Sequence, residues 1–437
     1  MVVNALTFVL STPTIIEMAP KLSKLAETLI GSEIVKLGAD IKEKIRQGDK
    51  IYNYTIGDFD SNVFPIPAEM ETAIIAAYQK HKTTYPPAEG IAELRTSVAD
   101  FIQKRQGLTF ASDEILIAAG GRPLIYTAYR AIVDAGDKVI YPVPSWNNNH
   151  YVHFTEGEHV VIESQLENNF MPTAADIEPH AEGAVLLALC SPLNPTGTTF
   201  TREELEKICD LVIAENNRRG AGEKKLYVLY DQIYWTLTYG NIQHYDPVSI
   251  NPAMKDFTIY IDGISKSFAS TGVRVGWALG PAFIVEKMKA INSHLGAWAP
   301  MAEQHAVANF LSQEEAITEF FRRFKFALEE RLTRIYNGFK SLKEAGYSVD
   351  AVAPQAAIYL TVQIDLTGMK KPDGNVLGNQ SDVTTYMLEE AKLAIVPFAA
   401  FGATGANSWY RLSVGTCLIH EIDEMLLKLK TALEKLK

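Results

Sequence analysis

The chain has 437 residues, 47 % hydrophobic and 21 % charged, ordinary globular usage that leaves room for two or three domains. Its formal net charge of −11 argues against non-specific attraction to nucleic acid or an anionic membrane, without excluding a local basic pocket. Cys190, Cys209 and Cys417 are the three cysteines; their spacing suggests neither a disulfide framework nor a zinc site and reads as reduced thiols of a cytosolic protein. The apolar run within Met1–Leu10 follows no Lys or Arg and precedes no cleavage pattern, so a signal peptide is not expected. No apolar run approaches the roughly 20 residues that span a bilayer.

In chain order, Ser32 to Gln47 reads as an amphipathic helix closed by Gly48, and Ile51 to Ile56 as a short strand ending at Gly57. Helices are expected over Pro67 to His81 and Ile91 to Gln106, the second closed by Gly107. Between them the paired prolines of Thr83-Thr84-Tyr85-Pro86-Pro87 forbid helix. From about residue 115 strands and helices alternate. Strands are predicted at Glu114 to Ala118, Lys138 to Tyr141, Ala184 to Cys190, Leu226 to Tyr230 and Thr258 to Asp262, and helices at Arg122 to Asp134 and Arg202 to Asn217. This rhythm predicts an α/β fold, a largely parallel sheet covered by helices, with ligands bound at the C-terminal strand ends. Helix over Glu314 to Glu344, strands near Ala357 to Ile364, Ala394 to Pro397 and Trp409 to Val414, and a last helix from Glu421 complete the chain; Met369 to Gln380 reads as an exposed loop.

The chemistry concentrates at the strand ends. Ile264-Ser265-Lys266-Ser267 sets a lysine between two serines, with Arg274 just before Val275-Gly276. An amine for a Schiff base beside hydroxyls and a guanidinium for a phosphate is what pyridoxal 5′-phosphate requires; alone, such a lysine is more often a solvated surface residue. Asp231 ends an apolar strand, where it could face a pyridinium nitrogen or merely cap a helix, and Tyr234 follows within reach of the ring's phenolic oxygen. Asn194, in Asn194-Pro195-Thr196-Gly197, is either a turn former or an amide donor to that oxygen. Gly120-Gly121-Arg122 opens a helix and could admit a phosphate. Trp146 is a core tryptophan or a stacking partner, and Arg411 a surface ion pair or a fork for a carboxylate.

Taken together and in this order, Tyr85-Pro86-Pro87-Ala88-Glu89-Gly90, Gly120-Gly121-Arg122, Pro144-Ser145-Trp146, Asn194 to Gly197, Asp231 to Tyr234, Ser265-Lys266-Ser267, Arg274-Val275-Gly276 and Arg411 resemble the class I/II aminotransferases, pyridoxal-phosphate enzymes of fold type I. The resemblance runs from about residue 20 to the end. It implies a large domain with a mostly parallel seven-stranded sheet over 63–309, a smaller α+β domain over 310–437, and an N-terminal arm and part of the small domain over 1–62. It implies Lys266 as the Schiff-base lysine and proton shuttle, and Asp231 paired with the pyridine nitrogen. Asn194 and Tyr234 would bond O3′, and Trp146 would stack on the ring. Gly121, the Arg122 backbone, Ser265 and Arg274 would hold the phosphate, and Tyr85 would reach the phosphate of a second subunit in a homodimer. Arg411, with Gly57 and Asn194 near it, would bind the substrate α-carboxylate.

The chain also departs from the family. The usual Gly-Glu-Pro-Asp is replaced by Gly57-Asp58-Phe59-Asp60, and Arg122 stands where Thr or Lys is common. Arg122 is therefore a candidate for the distal carboxylate of an acidic, aspartate-like substrate, with 2-oxoglutarate as acceptor. Ser32 is a weaker candidate for capping the pocket. Phe59, Phe64, Tyr359 and Phe401 equally suit an aromatic or large apolar substrate. A carbon–sulfur β-lyase on the same fold remains open, and a non-catalytic regulator is disfavoured by the few residues preceding the resemblance.

Overall fold

The computed structural model describes residues 22–29, 31, 33–405 and 407–437. The chain forms two compact units, 1–31 and 32–437. In the first, Ser23 caps the short helix Lys24–Thr28 through its hydroxyl. Ser32 and the Met1–Leu10 run lie outside the described residues.

In the second unit the strands are β1 (Tyr52–Asn53), β2 (Ile115–Ala118), β3 (Lys138–Val143), β4 (Glu158–Glu163), β5 (Ala184–Cys190), β6 (Tyr227–Asp231), β7 (Thr258–Gly263), β8 (Gly276–Leu279), β9 (Val349–Ala351), β10 (Tyr359–Ile364), β11 (Leu393–Ala394), β12 (Val396–Pro397) and β13 (Trp409–Ser413). Seven build one sheet in the order β2-β8-β7-β6-β5-β3-β4. All run parallel except β8, which is antiparallel to β2 and β7. This is the expected α/β architecture. Side-chain alternation sorts the sheet's residues between two cores. Ile115, Ile117, Leu187 and Tyr260 enter one, and Leu116, Ala118, Leu186, Ile259 and Ile261 enter the other. A third core joins Tyr52, Tyr54 and Phe64 to the long helix Glu314–Glu344 and the antiparallel sheet β12-β13-β10-β9.

The helices expected near 32–47, 67–81, 91–106, 122–134 and 202–217 form with ends shifted by one or two residues. Gly107 ends its helix in the left-handed conformation, φ 76°, as a glycine cap does. The strand expected over Ile51 to Ile56 shrinks to Tyr52–Asn53, paired with β11, so the chain reaches Gly57 as loop. β4 and β8 were not anticipated. β4 is a largely exposed edge strand, and β8 has only four residues, preceded by Arg274 at φ 61°.

Candidate active site

A cavity of about 750 Å3 opens at the C-terminal ends of the parallel strands. Strand β7 ends in the single helical turn Ile264–Ser267, which aims Lys266 into it. Lys266 Nζ donates to the Gly57 carbonyl at 2.6 Å. Burial pushes its ammonium down to about 8, and Arg411, Arg122 and Arg274 push the same way against the opposing Asp58. The amine therefore sheds its proton far more readily than a solvated lysine.

Asp231, at the end of β6, faces the same cavity. Its carboxylate accepts from the Ile233 amide at 3.0 Å, and among the described residues no cation is bonded to it. Burial pushes it up to about 6, opposed by that amide and by Lys266. Such a carboxylate is suited to a cationic ligand atom; a capping role alone would not place it there.

The far end of the cavity suits a phosphate. Gly120, at φ 85°, precedes the helix Gly121–Ile132, which has no side-chain cap and no acid in its first turn. Its leading N–H groups and dipole are thus free for an anion. A β-carbon on Gly120 would collide with the Arg274 guanidinium, which is anchored by the Thr271 carbonyl at 2.6 Å and the Ala119 carbonyl at 2.8 Å. Ser265 lines the same space. Trp146 also lines the cavity, with the Arg122 guanidinium 5.6 Å from its ring centre. Arg122 makes no ion pair among the described residues.

Arg411 comes from the third core. It is 2 % exposed, and its guanidinium lies 4.8 Å from the ring centres of both Tyr359 and Phe401. It donates to Asn194 Oδ1 at 3.0 Å and to the Thr55 carbonyl at 2.6 Å, leaving Nε without a partner. Burial lowers its proton affinity, and among the described residues no carboxylate pairs with it. Of the two readings open from sequence, the surface ion pair is not what forms among the described residues: a central strand carries Arg411 inward. Asn194 accepts from Arg411 through its carbonyl, which turns its amide N–H groups elsewhere. The Tyr234 hydroxyl meets that of Tyr359 at 2.6 Å. Gly57 has no room for a side chain, since a β-carbon would lie 2.8 Å from the Tyr359 hydroxyl.

Of the residues anticipated to hold the cofactor and the substrate α-carboxylate, all but Tyr85 thus line one cavity. Tyr85 is 85 % exposed and rests edge-on against Trp298. Of the four aromatics, Tyr359 lines the cavity, Phe59 lies 5.7 Å from Lys266 Nζ and Phe401 covers Arg411. Phe64 is core, beneath the Arg331 guanidinium. Asp58 and Tyr151 were not singled out from sequence. Asp58 accepts from Thr271 Oγ1 at 2.6 Å and lies near Lys266, inside the stretch already seen to depart from the family. Tyr151 belongs to the helix Asn148–Thr155, which carries no motif.

Comparison with known proteins agrees with this geometry. Residues 50–429 match the family model for aminotransferase class I and II. An aspartate aminotransferase of Bacillus sp. (strain YM-2) is 30 % identical over 403 residues, covering 92 % of this chain and 96 % of that one. A probable aspartate/prephenate aminotransferase of Rickettsia felis is 28 % identical, covering 95 % and 94 %. The crystal structure of the aspartate aminotransferase of Rhizobium meliloti superposes with a TM-score of 0.86 at 26 % identity, covering 95 % of this chain and all of that one. With the lysine, the carboxylate and the unpaired arginines already gathered in one cavity, the match over nearly the whole length leaves one conclusion: the chain belongs to the class I and II aminotransferases and is a pyridoxal 5′-phosphate-dependent enzyme.

Proposed function

We propose that the protein transfers an amino group between an acidic, aspartate-like L-amino acid and a 2-oxo acid such as 2-oxoglutarate. The observation that carries this reading is a buried Arg411 that among the described residues has no carboxylate partner, in one cavity with Arg122, which makes no ion pair among them, and a lysine of lowered proton affinity. Its likeness to the aspartate aminotransferases of Bacillus sp. and Rhizobium meliloti supports it.

The residues present fit the cofactor. Asp231 would pair with its ring nitrogen, Asn194 and Tyr234 would bond its phenolic oxygen, and Trp146 would cover its ring. Gly121, the Arg122 backbone, Ser265 and Arg274 would hold its phosphate. When bound, the cofactor supplies the electron sink for charge formed at the substrate α-carbon. The chain does the rest. Arg411 binds the α-carboxylate as a planar fork, its second face set by Asn194 and the Thr55 carbonyl. Arg122 receives the distal carboxylate. Lys266 Nζ removes the α-proton, and its proton affinity near 8 lets it serve as a base around neutrality. Gly57 and Asp58 hold that amine between turns through the carbonyl contact and charge.

Tyr85 is assigned to the phosphate of a second copy, which makes the enzyme a homodimer with shared sites; its exposure supports this. A division into an N-terminal arm and part of the small domain over 1–62, a large domain over 63–309 and a small domain over 310–437 is supported by Tyr52 and Tyr54 sharing a core with Phe324, Leu328 and the antiparallel sheet. A cytoplasmic location is supported by three free cysteines. No helix among the described residues is long and apolar enough to cross a membrane.

The test is steady-state transamination with single amino acids for the wild type and Arg122→Gln. Aspartate and glutamate are expected to lead in kcat/KM, with the variant losing that lead and keeping its rate with alanine. Activity confined to aromatic or branched amino acids, or an equal loss for alanine, overturns the acidic assignment. Release of a thiol from a cysteine conjugate without oxo-acid demand points instead to the lyase.

A further inference from the structure

At the C-terminal ends of β3 and β4, Val143 and Glu163 stand side by side, paired in register. Against both lies the loop Phe398–Gly405, which follows β12 in the antiparallel sheet and carries Phe401. Three contacts fasten it there. The Ser145 amide donates to the Phe401 carbonyl at 3.1 Å. Gly402, at φ 87°, seats against Val143, whose Cγ1 would stand 3.0 Å from a β-carbon at that position. Glu163 makes the third contact: its carboxylate accepts from the Thr404 amide at 2.6 Å, from the Thr404 hydroxyl and from the Gly405 amide.

All three donors to Glu163 come from that loop, and among the described residues no cation pairs with it. Burial pushes its carboxyl up, but the Gly405 and Thr404 donors outweigh that and hold it below the usual carboxylate value. Donors converging on a charged acceptor bond more strongly than neutral pairs. The strength is needed, because Thr404 and Gly405 are exposed to competing water. Ala403 still enters a small core with Phe398 and Phe401; beyond it, Glu163 holds the loop.

The cargo of the loop gives the clamp a use. The Phe401 ring centre lies 4.8 Å from the Arg411 guanidinium and 6.3 Å from the ring centre of Trp146. A ring kept there excludes water from the guanidinium, and a charge pair formed in such surroundings is stronger than one in water.

We propose that Glu163, outside the cavity, is a positioning residue: it clamps the Phe398–Gly405 loop to the sheet edge, keeps Phe401 over Arg411, and so sets the affinity for the substrate α-carboxylate. This rests on the reading of Arg411 as the α-carboxylate site. Glu163 touches no reacting atom, so its loss is read in binding and not in turnover.

The test compares holoenzymes of Glu163→Ala, Glu163→Gln and Thr404→Val, with melting temperature as a control for folding. Glu163→Ala should raise KM for aspartate and for alanine by the same factor, about tenfold, the scale of one hydrogen bond to a charged group, with kcat within about twofold. Amides of the 398–405 segment should exchange with deuterium faster in that variant. Glu163→Gln should restore both readouts, since its carbonyl can take both N–H donors while the Thr404 hydroxyl turns to accept from its amide. Thr404→Val should add little on top of Glu163→Ala, because the two remove one contact. Unchanged exchange in Glu163→Ala overturns the clamp, and faster exchange with unchanged KM overturns its link to Arg411. A KM rise confined to aspartate puts the effect on the distal carboxylate and overturns the proposal, as does a fall in kcat as large as the rise in KM. KM values indifferent to Arg411→Gln instead overturn the reading of Arg411, and the proposal with it.

Discussion

Asp231 and Asp262 end neighbouring parallel strands, yet they face opposite sides of the sheet. Asp231 opens into the active-site cavity, with one amide bonded to it. Asp262 is sealed in the core, accepting from the Trp235 indole at 2.8 Å and the Gly263 amide at 2.7 Å. Burial raises both, Asp231 to about 6 and Asp262 to about 8, and the charge of Asp231 adds to the rise at Asp262. Identical side chains thus diverge in use. Asp262 settles its charge by keeping a proton, and Asp231 is left to a ligand that brings the positive charge. Two arginines repeat the contrast. Arg331, 7 % exposed, is satisfied by the Cys417 carbonyl at 2.8 Å and the Ala327 carbonyl at 2.7 Å, whereas Arg411 keeps an open Nε beside the cavity.

The largest expected effect is at the lysine that shares its cavity with Asp231. Lys266→Ala should lower kcat by about 10^4-fold, the upper range for removal of a positioned base, measured by single-turnover transamination with cofactor added. Asp231→Asn should cost about 3–5 kcal/mol in kcat/KM, the cost of unpairing a buried ion pair, while Asp262→Asn should change kcat less than about tenfold; equal losses would erase the distinction between the two. Arg411→Gln should cost about 2–5 kcal/mol in kcat/KM, and Arg331→Gln should lower the melting temperature without raising KM.

The smallest effects are in pH. Between about 4 and 8 folded Asp262 holds a proton that the unfolded chain has lost, so stability falls as pH rises through that window. Asp262→Asn should flatten the slope by about 1 kcal/mol per pH unit, read by denaturant unfolding of the cofactor-free protein. For Lys266, lowered to about 8, the folded state gives up its proton first, and stability rises between about 8 and 10.5. Its rate of reductive methylation in the cofactor-free protein should reach half-maximum near pH 8.

Lys266, Asp231, Asn194 and Arg274 were legible because each sits in a short run whose residue types have few other joint uses, and because β-α-β alternation sends such runs to one sheet edge. The direction in which Arg411 points was not legible. Whether a strand-borne arginine faces water depends on its neighbours, and β13 lies between β12 and β10, the latter a partner distant in sequence. Asp58 escaped notice because the chain around it is irregular, so no periodicity reports which way a side chain turns. Asp262 escaped for another reason. In Thr258 to Asp262 the polar terminal residue looks like a strand end reaching water, whereas the indole of Trp235, from the loop after β6, closes over it. The edge strand β4 and the short β8 carry too little apolar alternation to stand out.

The Tyr234–Tyr359 hydroxyl contact and the Arg411–Asn194 bond join chain segments 125 and 217 residues apart. Each stitches the core around the antiparallel sheet to the strand ends of the large sheet. The site therefore draws on both cores. A refolding chain that has consolidated one core, even fully, owns only part of a catalyst, and enzymatic turnover becomes the reporter of contact between the cores rather than of collapse within either.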